Sequence, residues 1–396
     1  MRVVEFGSLF QFIRNGMSVK QDKSGDGLPI TRIETIADAT IDVSRVGYAG
    51  VNEEDGRRWL LEPGDILFSH INSVEHVGKC AIYRGIPEKL VHGMNLLCMR
   101  CDQSQLLPEF ATYLIRSPGF QARLQNFINK AVNQASVSIG NLKPIPVGIP
   151  PLPEQRRIAA ILDQVDALRA KRREALAQLD SLTQSIFIEM FGSPVSNPKN
   201  WVVKPLIECA EKIQIGPFGT QLHEEDYIDG GIPLINPTHL RGGVIRPDAS
   251  LTVSKEKYTE LSNYYLFDGD LIMGRRGEMG RCAVITQREQ GWLCGTGSLF
   301  VRPKTEVLHP IYLGLVISSP SMRLFLENVA QGVTMANLNK TIVGGLPIAV
   351  PPMAKQLTFV SQLKTTHAIK KHSLDSLTEL DSLFVSLQHR AFKGEL

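Results

Sequence analysis

Cys98 and Cys101 form a Cys-x-x-Cys pair, and Cys80 with His92 nominally completes a four-ligand zinc set. The second half of the chain repeats the first. It sets Phe300 and Pro303 opposite the pair, and Cys282 and Cys294 opposite Cys80 and His92. Neither Phe nor Pro binds metal, so the cysteines read as small buried hydrophobes and no metal site is expected. Gly274-Arg275-Arg276-Gly277-Glu278-Met279-Gly280 is glycine-rich, but it lies between two strand-like runs and opens no helix, which argues against a dinucleotide or methyl-donor cradle. Pro150-Pro151 and Pro351-Pro352 follow Ile149 and Val350, where amino-methylating enzymes set Asn or Asp to hold the target amine. No Gly-Lys-Ser or Gly-Lys-Thr phosphate loop, His-Glu-x-x-His pair or serine nucleophile elbow occurs. No catalytic residue is expected.

Polar loop chemistry remains. Ser69, His70, Asn72, His76 and Lys79 follow one strand-like run, and Arg275, Arg276, Glu278 and Arg281 follow its counterpart in the second half. Gly219, Thr220 and Gln221, then Asn236 and Thr238 with Arg241 beyond, add loop-borne donors and acceptors. These types suit base edges: Arg donates twice to guanine, Asn or Gln reads adenine, and Glu accepts from cytosine. Solvated loop residues are the bland alternative for each of them.

The elements that must position these loops come in duplicate. Pro150-Pro151-Leu152-Pro153-Glu154-Gln155 recurs as Pro351-Pro352-Met353-Ala354-Lys355-Gln356, a shift of 201, and the same shift carries Leu179-Asp180-Ser181-Leu182 onto Leu380-Asp381-Ser382-Leu383. Upstream, Gly78-Lys79-Cys80-Ala81 recurs at a shift of 202 and Gly64-Asp65-Ile66-Leu67 at 205. Insertions are therefore confined to the front of each unit. A globular domain absorbs them in surface loops, whereas a long packed helix cannot gain a residue without rotating its apolar stripe. The expected order is a mixed domain (1–150), a helix (151–192), a mixed domain (193–350) and a helix (351–396). Within the front sections one helix is expected over Pro108–Asn129 and one over Pro310–Val329.

For the first long helix, Ile161, Val165, Leu168, Arg172, Ala175, Leu179, Leu182 and Ile186 follow the 4,3 spacing of a heptad seam. Leu374, Leu377, Leu380, Phe384 and Leu387 continue the theme in the second. Two helices of about 35 residues, each about 50 Å long, are expected to pack antiparallel. The fold class expected is α+β, two mixed α/β domains in pseudo-two-fold tandem repeat separated by two long antiparallel coiled-coil helices, a caliper.

With 396 residues, 43% apolar, the chain can bury a large core, and a net charge of +3 is far short of a polycation that holds nucleic acid by charge alone. Residues 1–150 carry +1 and residues 192–352 carry none, so if these domains read DNA, most phosphate neutralisation must come from partner subunits. No run approaches 18 consecutive apolar residues and no secretory leader is apparent, so membrane association is not expected and the cytoplasm is. Six cysteines suit a reducing compartment.

Leu152-Pro153-Glu154-Gln155-Arg156-Arg157-Ile158 opening the first long helix, and Leu387-Gln388-His389-Arg390-Ala391-Phe392-Lys393-Gly394-Glu395-Leu396 closing the second, resemble the DNA specificity subunit of a type I restriction-modification system. Ile215-Gly216-Pro217-Phe218-Gly219-Thr220 with Gly231-Ile232-Pro233-Leu234-Ile235-Asn236 resembles the start of that family's target-recognition domain. The resemblance covers essentially the whole chain. Ala354-Lys355 departs from the usual Pro-Glu before Gln356. It implies a non-catalytic subunit that reads a bipartite, asymmetric target in double-stranded DNA, with two modification subunits and restriction subunits docked on it. This chain would bind no cofactor, and S-adenosylmethionine, Mg and ATP would belong to those partners. Leu162, Leu176, Leu363 and Leu377 flank the seam, and modification-subunit helices are expected to pack there; burial against the chain's own domains is the alternative. Rival classes are an autonomous methyltransferase or nuclease, revived by methyl-donor binding to the isolated chain, and a coiled-coil scaffold without DNA readout, tested by sequence-specific DNA protection. A methylation-only system is a variant of the preferred reading.

Overall fold

The computed structural model of the chain describes residues 1–23, 25–36, 39–131, 134–219, 221–330 and 337–396. Contacts divide it into two compact units, Met1–Ala175 with Ser373–Leu396, and Leu176–His372. Each unit holds one mixed domain and a part of each long helix, Leu152–Phe191 and Met353–Lys393.

Both units build the same four-stranded antiparallel sheet. In unit 1 the order is Phe10–Asn15, Leu96–Cys101, Ile66–Ser69, Cys80–Ile82. In unit 2 it is Ala210–Ile215, Ser298–Pro303, Leu271–Gly274, Cys282–Val284. The inner strands are largely apolar, with Arg100 and Arg302 paired to Asp65 and Asp270, because both faces are covered. Ile66 and Phe68 enter one core and Leu67 another, just as Leu271 and Met273 separate from Ile272. The same alternation separates the Cys-x-x-Cys pair, with Cys101 packed among Phe6 and Phe110 and Cys98 among Leu67 and Tyr83. Among the described residues no cluster of His, Cys, Asp and Glu could hold a metal, and no helix is long and apolar enough to cross a membrane.

Where one helix per unit is expected, the structure has two: Pro108–Arg116 then Pro118–Gln125, and Pro310–Ser318 then Pro320–Ala330. Pro118 and Pro320 have no N–H to continue the ladder. Ser117 and Ser319 restart the helix, their hydroxyls accepting from Phe120 N and Met322 N at 3.3 Å. Asn129, expected as a helix end, belongs to a strand, Asn129–Ala131.

In each unit the segments of the two long helices run antiparallel. In unit 1, Arg157 Nη2 donates to Leu396 O at 2.5 Å and Arg169 Nε to Asp381 Oδ1 at 2.6 Å. In unit 2, Lys370 Nζ reaches Asp180 at 2.5 Å, and Phe187 and Phe191 pack on Phe359. Among the buried or half-buried positions of the first helix, one stripe runs through Gln155, Ile158, Leu162, Val165, Arg169, Arg172, Leu176, Leu179, Thr183, Ile186 and Met190. Adding 201 to each gives the stripe of the second, from Gln356, Phe359 and Leu363 through Leu377, Leu380, Phe384 and Leu387 to Ala391.

This phase corrects the expected seam at alternate positions. Leu168 and Leu182 are 53% and 45% exposed, Leu374 is 46% exposed, and Ile161 is half-buried to one side. In the first helix Leu162, Arg169, Leu176 and Thr183 take the places expected for Ile161, Leu168, Ala175 and Leu182. Arg169 is tolerated in the stripe because its guanidinium bonds Asp166 and Asp381 and lies 4.4 Å from the Phe384 ring centroid. Leu162 and Leu363, expected to face partners, are buried in the cores of their own units.

Each domain is tied to its helix by a glutamine. Gln155 Oε1 accepts from Leu107 N at 2.9 Å, and its Nε2 donates to Gln105 O and Pro150 O at 2.8 and 2.9 Å. Gln356 repeats the arrangement with His309 N, Val307 O and Pro351 O at 2.8, 3.1 and 2.8 Å. Both side chains are fully buried. The departure at Ala354-Lys355 leaves this clamp intact, because neither residue contributes to it.

Candidate nucleic-acid interface

In unit 1 the strand Ile66–Ser69 runs into a loop closed by backbone bonds from Ser69 N to Lys79 O (2.8 Å) and from Gly78 N to Ser69 O (2.9 Å). Gly78 has φ +91°, and a Cβ there would come within 2.7 Å of the Gln121 side chain. Gln121 Nε2 holds the loop from the second short helix, donating to Gly78 O at 3.1 Å and Ile115 O at 2.7 Å.

Of the five residues expected to read bases here, two are frame. Ser69 and His70 are buried; the Ser69 hydroxyl accepts from Asn72 Nδ2 at 3.2 Å, and His70 O accepts from Val137 N at 2.9 Å. Burial pushes the His70 imidazole below its ordinary value and keeps it neutral at pH 7. Asn72 is half-buried, its Oδ1 capping Ser73 N at 2.8 Å. His76, 2.9 Å from the Ser73 hydroxyl, and Lys79 are exposed.

In unit 2 the equivalent loop is closed by Gly274 N to Arg281 O at 2.9 Å. Arg275 is buried, its Nε donating to Leu338 O at 2.9 Å, and burial lowers the pKa of this guanidinium. It fastens the loop base, and Arg276 beside it is the exposed one. Glu278 bridges two cations, accepting from Arg281 Nη2 at 2.8 Å and Arg323 Nη1 at 2.9 Å; Arg281 Nη1 also donates to Pro237 O at 3.1 Å. Gly280, at φ +74°, could carry no Cβ, because one would meet Ile317 O at 2.8 Å.

Thr238, Arg241, Glu278 and Arg281 come together, with Ser318 and Arg323, around a cleft of about 770 Å³. Arg241 stands on the hairpin Leu240–Arg241/Val244–Ile245, whose tip, Gly242-Gly243, has φ +58° and +76°, as a tight two-residue turn requires. Asn236 is half-buried and caps the turn Pro237–His239. Exposed Gly219 and Gln221 do not line the cleft, and Gln221 Oε1 accepts from Tyr264 Oη at 2.6 Å. Thr220 lies outside the described residues.

Sequence reasoning missed Gln121 and Arg323, which occupy one position of the repeat at a shift of 202. Both lie within the spans expected to form one helix each. The signal lay in the repeat itself, which pairs Gly78 with Gly280 and Gln121 with Arg323 at the same shift. One frame thus carries a neutral amide in unit 1 and an Arg-Glu-Arg bracket in unit 2.

The family described as type I restriction modification DNA specificity domain matches residues 1–178 and 198–379. The chain is 30% identical over 376 residues to a protein named as a type I restriction enzyme MjaX specificity subunit, from Methanocaldococcus jannaschii, covering 91% of this chain and 85% of that one. It is 29% identical over 194 residues to the EcoKI specificity subunit of Escherichia coli K12, covering 48% of this chain and 42% of that one. The fold is shared with the S subunit of a type I system from M. genitalium at TM-score 0.60 and 14% identity, covering 99% of this chain and 96% of that one. A chain solved in work on assembly and conformational transition of the type I system gives TM-score 0.62 at 17% identity, covering 100% and 98%. The chain belongs to the type I restriction-modification DNA specificity family, as a non-catalytic specificity subunit whose partners are DNA and the other subunits of that system.

Proposed function

We propose that the two units read different half-sites of one bipartite, asymmetric DNA target, and that the long helices dock two modification subunits and, with them, the restriction subunits. The carrying observation is the change of loop chemistry on a constant frame. Lys79 and Gln121 in unit 1 stand where Arg281 and Arg323 stand in unit 2, with Glu278 holding both arginines. Readers that differ this way make different contacts at base edges and phosphates. S-adenosylmethionine, Mg and ATP would be bound by the partners, and the complex would act on double-stranded DNA in the cytoplasm.

Docking is supported by apolar residues left outside the seam at equivalent repeat positions. Leu168 and Ile369 are 53% and 50% exposed, and Leu182 and Leu383 are 45% and 47% exposed. The bulky apolar character of an outward heptad position is kept in both helices, as a partner helix would require.

Mapping methylated adenines in a genome whose cells express the complex tests the reading. Two unlike half-sites at a constant spacing are expected. A continuous or palindromic target, or methylation without sequence preference, would overturn it.

A further inference from the structure

Strands Asn129–Ala131 and Gln134–Ser136 of unit 1 form a β-ribbon that the sequence did not lead one to expect. Strands Asn129–Ala131 and Gln134–Ser136 pair antiparallel, and Gln134–Ser136 also pairs with Ile71–Asn72 at the edge of the loop described above. Register partners share a face, so Asn129, Ala131, Gln134 and Ser136 lie on one side and Lys130, Ala135 and Asn72 on the other. Ala135 is buried in the unit 1 core, which turns the first side outward. Asn129, Lys130, Ala131 and Gln134 are all exposed, and among the described residues no hydrogen bond engages the Asn129 or Gln134 amide. The root of the ribbon is rigid: Val137 is buried, and its N–H donates to His70 O at 2.9 Å.

The sequence supplies an independent observation. From this ribbon onward the repeat keeps its shift of 201, so Val132, Ala135 and Val137 match Val333, Ala336 and Leu338. Asn129, Lys130, Gln134 and Ser136 match Ala330, Gln331, Met335 and Asn337. Length and apolar character are retained while the polar positions change chemistry, the pattern required of two readers of unlike half-sites.

We infer that the paired strands Asn129–Ala131 and Gln134–Ser136 lie in the major groove and that Gln134 and Asn129 read an A·T base pair in the half-site of unit 1. This rests on the specificity reading above. A two-stranded ribbon fits the major groove, a side-chain amide matches the N7 acceptor and N6 donor of adenine, and the Ala131 methyl on the same face suits the thymine methyl.

The full chain assembled with its modification subunits, presented with a pool of randomised DNA duplexes, supplies the test. Gln134→Met, which installs the residue of the other copy, and Asn129→Ala should each lose about tenfold to a hundredfold discrimination at one or two adjacent positions of one half-site. The other half-site should be selected unchanged. Equal weakening on every sequence, or selection identical to the parent complex, overturns the inference. A parent complex that enriches no sequence overturns the specificity reading itself, and is told apart because it fails before any variant is made.

Discussion

Gln155→Ala removes an amide that satisfies three backbone groups, the Leu107 N–H and the carbonyls of Gln105 and Pro150, from a position with no solvent access. An unsatisfied buried polar group costs about 1–3 kcal/mol, so three groups at the lower end give a loss of about 3 kcal/mol. Gln155→Glu keeps an acceptor for Leu107 N–H but turns a second oxygen toward two carbonyl oxygens. It should cost at least as much at neutral pH and recover part of the loss in acid, where a protonated carboxyl donates once. Gln356→Ala should match Gln155→Ala because its three partners are the same in kind. With no shared partner, the double variant should be additive within about 0.5 kcal/mol. Urea denaturation of the full chain followed by circular dichroism measures these losses. If each variant lost less than about 1 kcal/mol, the hydrogen-bond accounting would be wrong. In the assembled complex, a clamp that fixes the angle between domain and helix predicts a second effect. Gln155→Ala should accept targets with spacers one base pair longer or shorter, while the half-site sequences stay as they are.

The corrected seam predicts that Leu162→Ala costs about 2–5 kcal/mol of stability whereas Leu168→Ala, half exposed, stays within about 0.5 kcal/mol; similar losses in denaturation would restore the original phase. Leu168→Glu should leave the isolated chain folded and weaken its co-purification with modification subunits. His92 is held near pKa 4 by burial, below its ordinary 6.5. Its contribution is therefore complete above pH 6.5 and lost as pH falls toward 4, where the unfolded chain binds a proton that the native state refuses. Unfolding midpoints between pH 7 and 4.5 should fall less steeply for His92→Gln than for the parent. Arg276→Ala should weaken one half-site by about 1–3 kcal/mol in competition binding if it touches a base, and uniformly on all sequences if it touches phosphate. Arg275→Ala should instead lower thermal stability, because its side chain anchors Leu338.

Duplication, order of domains and helices, and the length constancy of the helices were legible in one dimension, since a shift of 201 is arithmetic on residue types. Strand positions were legible for the same reason: Ile66-Leu67-Phe68 and Leu271-Ile272-Met273 are apolar runs too short for a helix and bounded by glycine and aspartate. What tertiary structure decided was which side of each pattern faces inward. Leucine at 168 and 182 outranks Arg169 and Thr183 by polarity alone, and Asp381 and Phe384 across the interface, with Asp166 beside it, let an arginine sit inside. Ser69, His70 and Arg275 have the residue types of readers, and their partners, Asn72 close by and Val137 and Leu338 far along the chain, turn them into frame. The ribbon of Asn129–Ala131 and Gln134–Ser136 was not legible because its strands are three residues each and its first strand is wholly exposed, leaving no alternation. Its second strand, Gln134–Ser136, is fixed by Ile71–Asn72, more than sixty positions upstream.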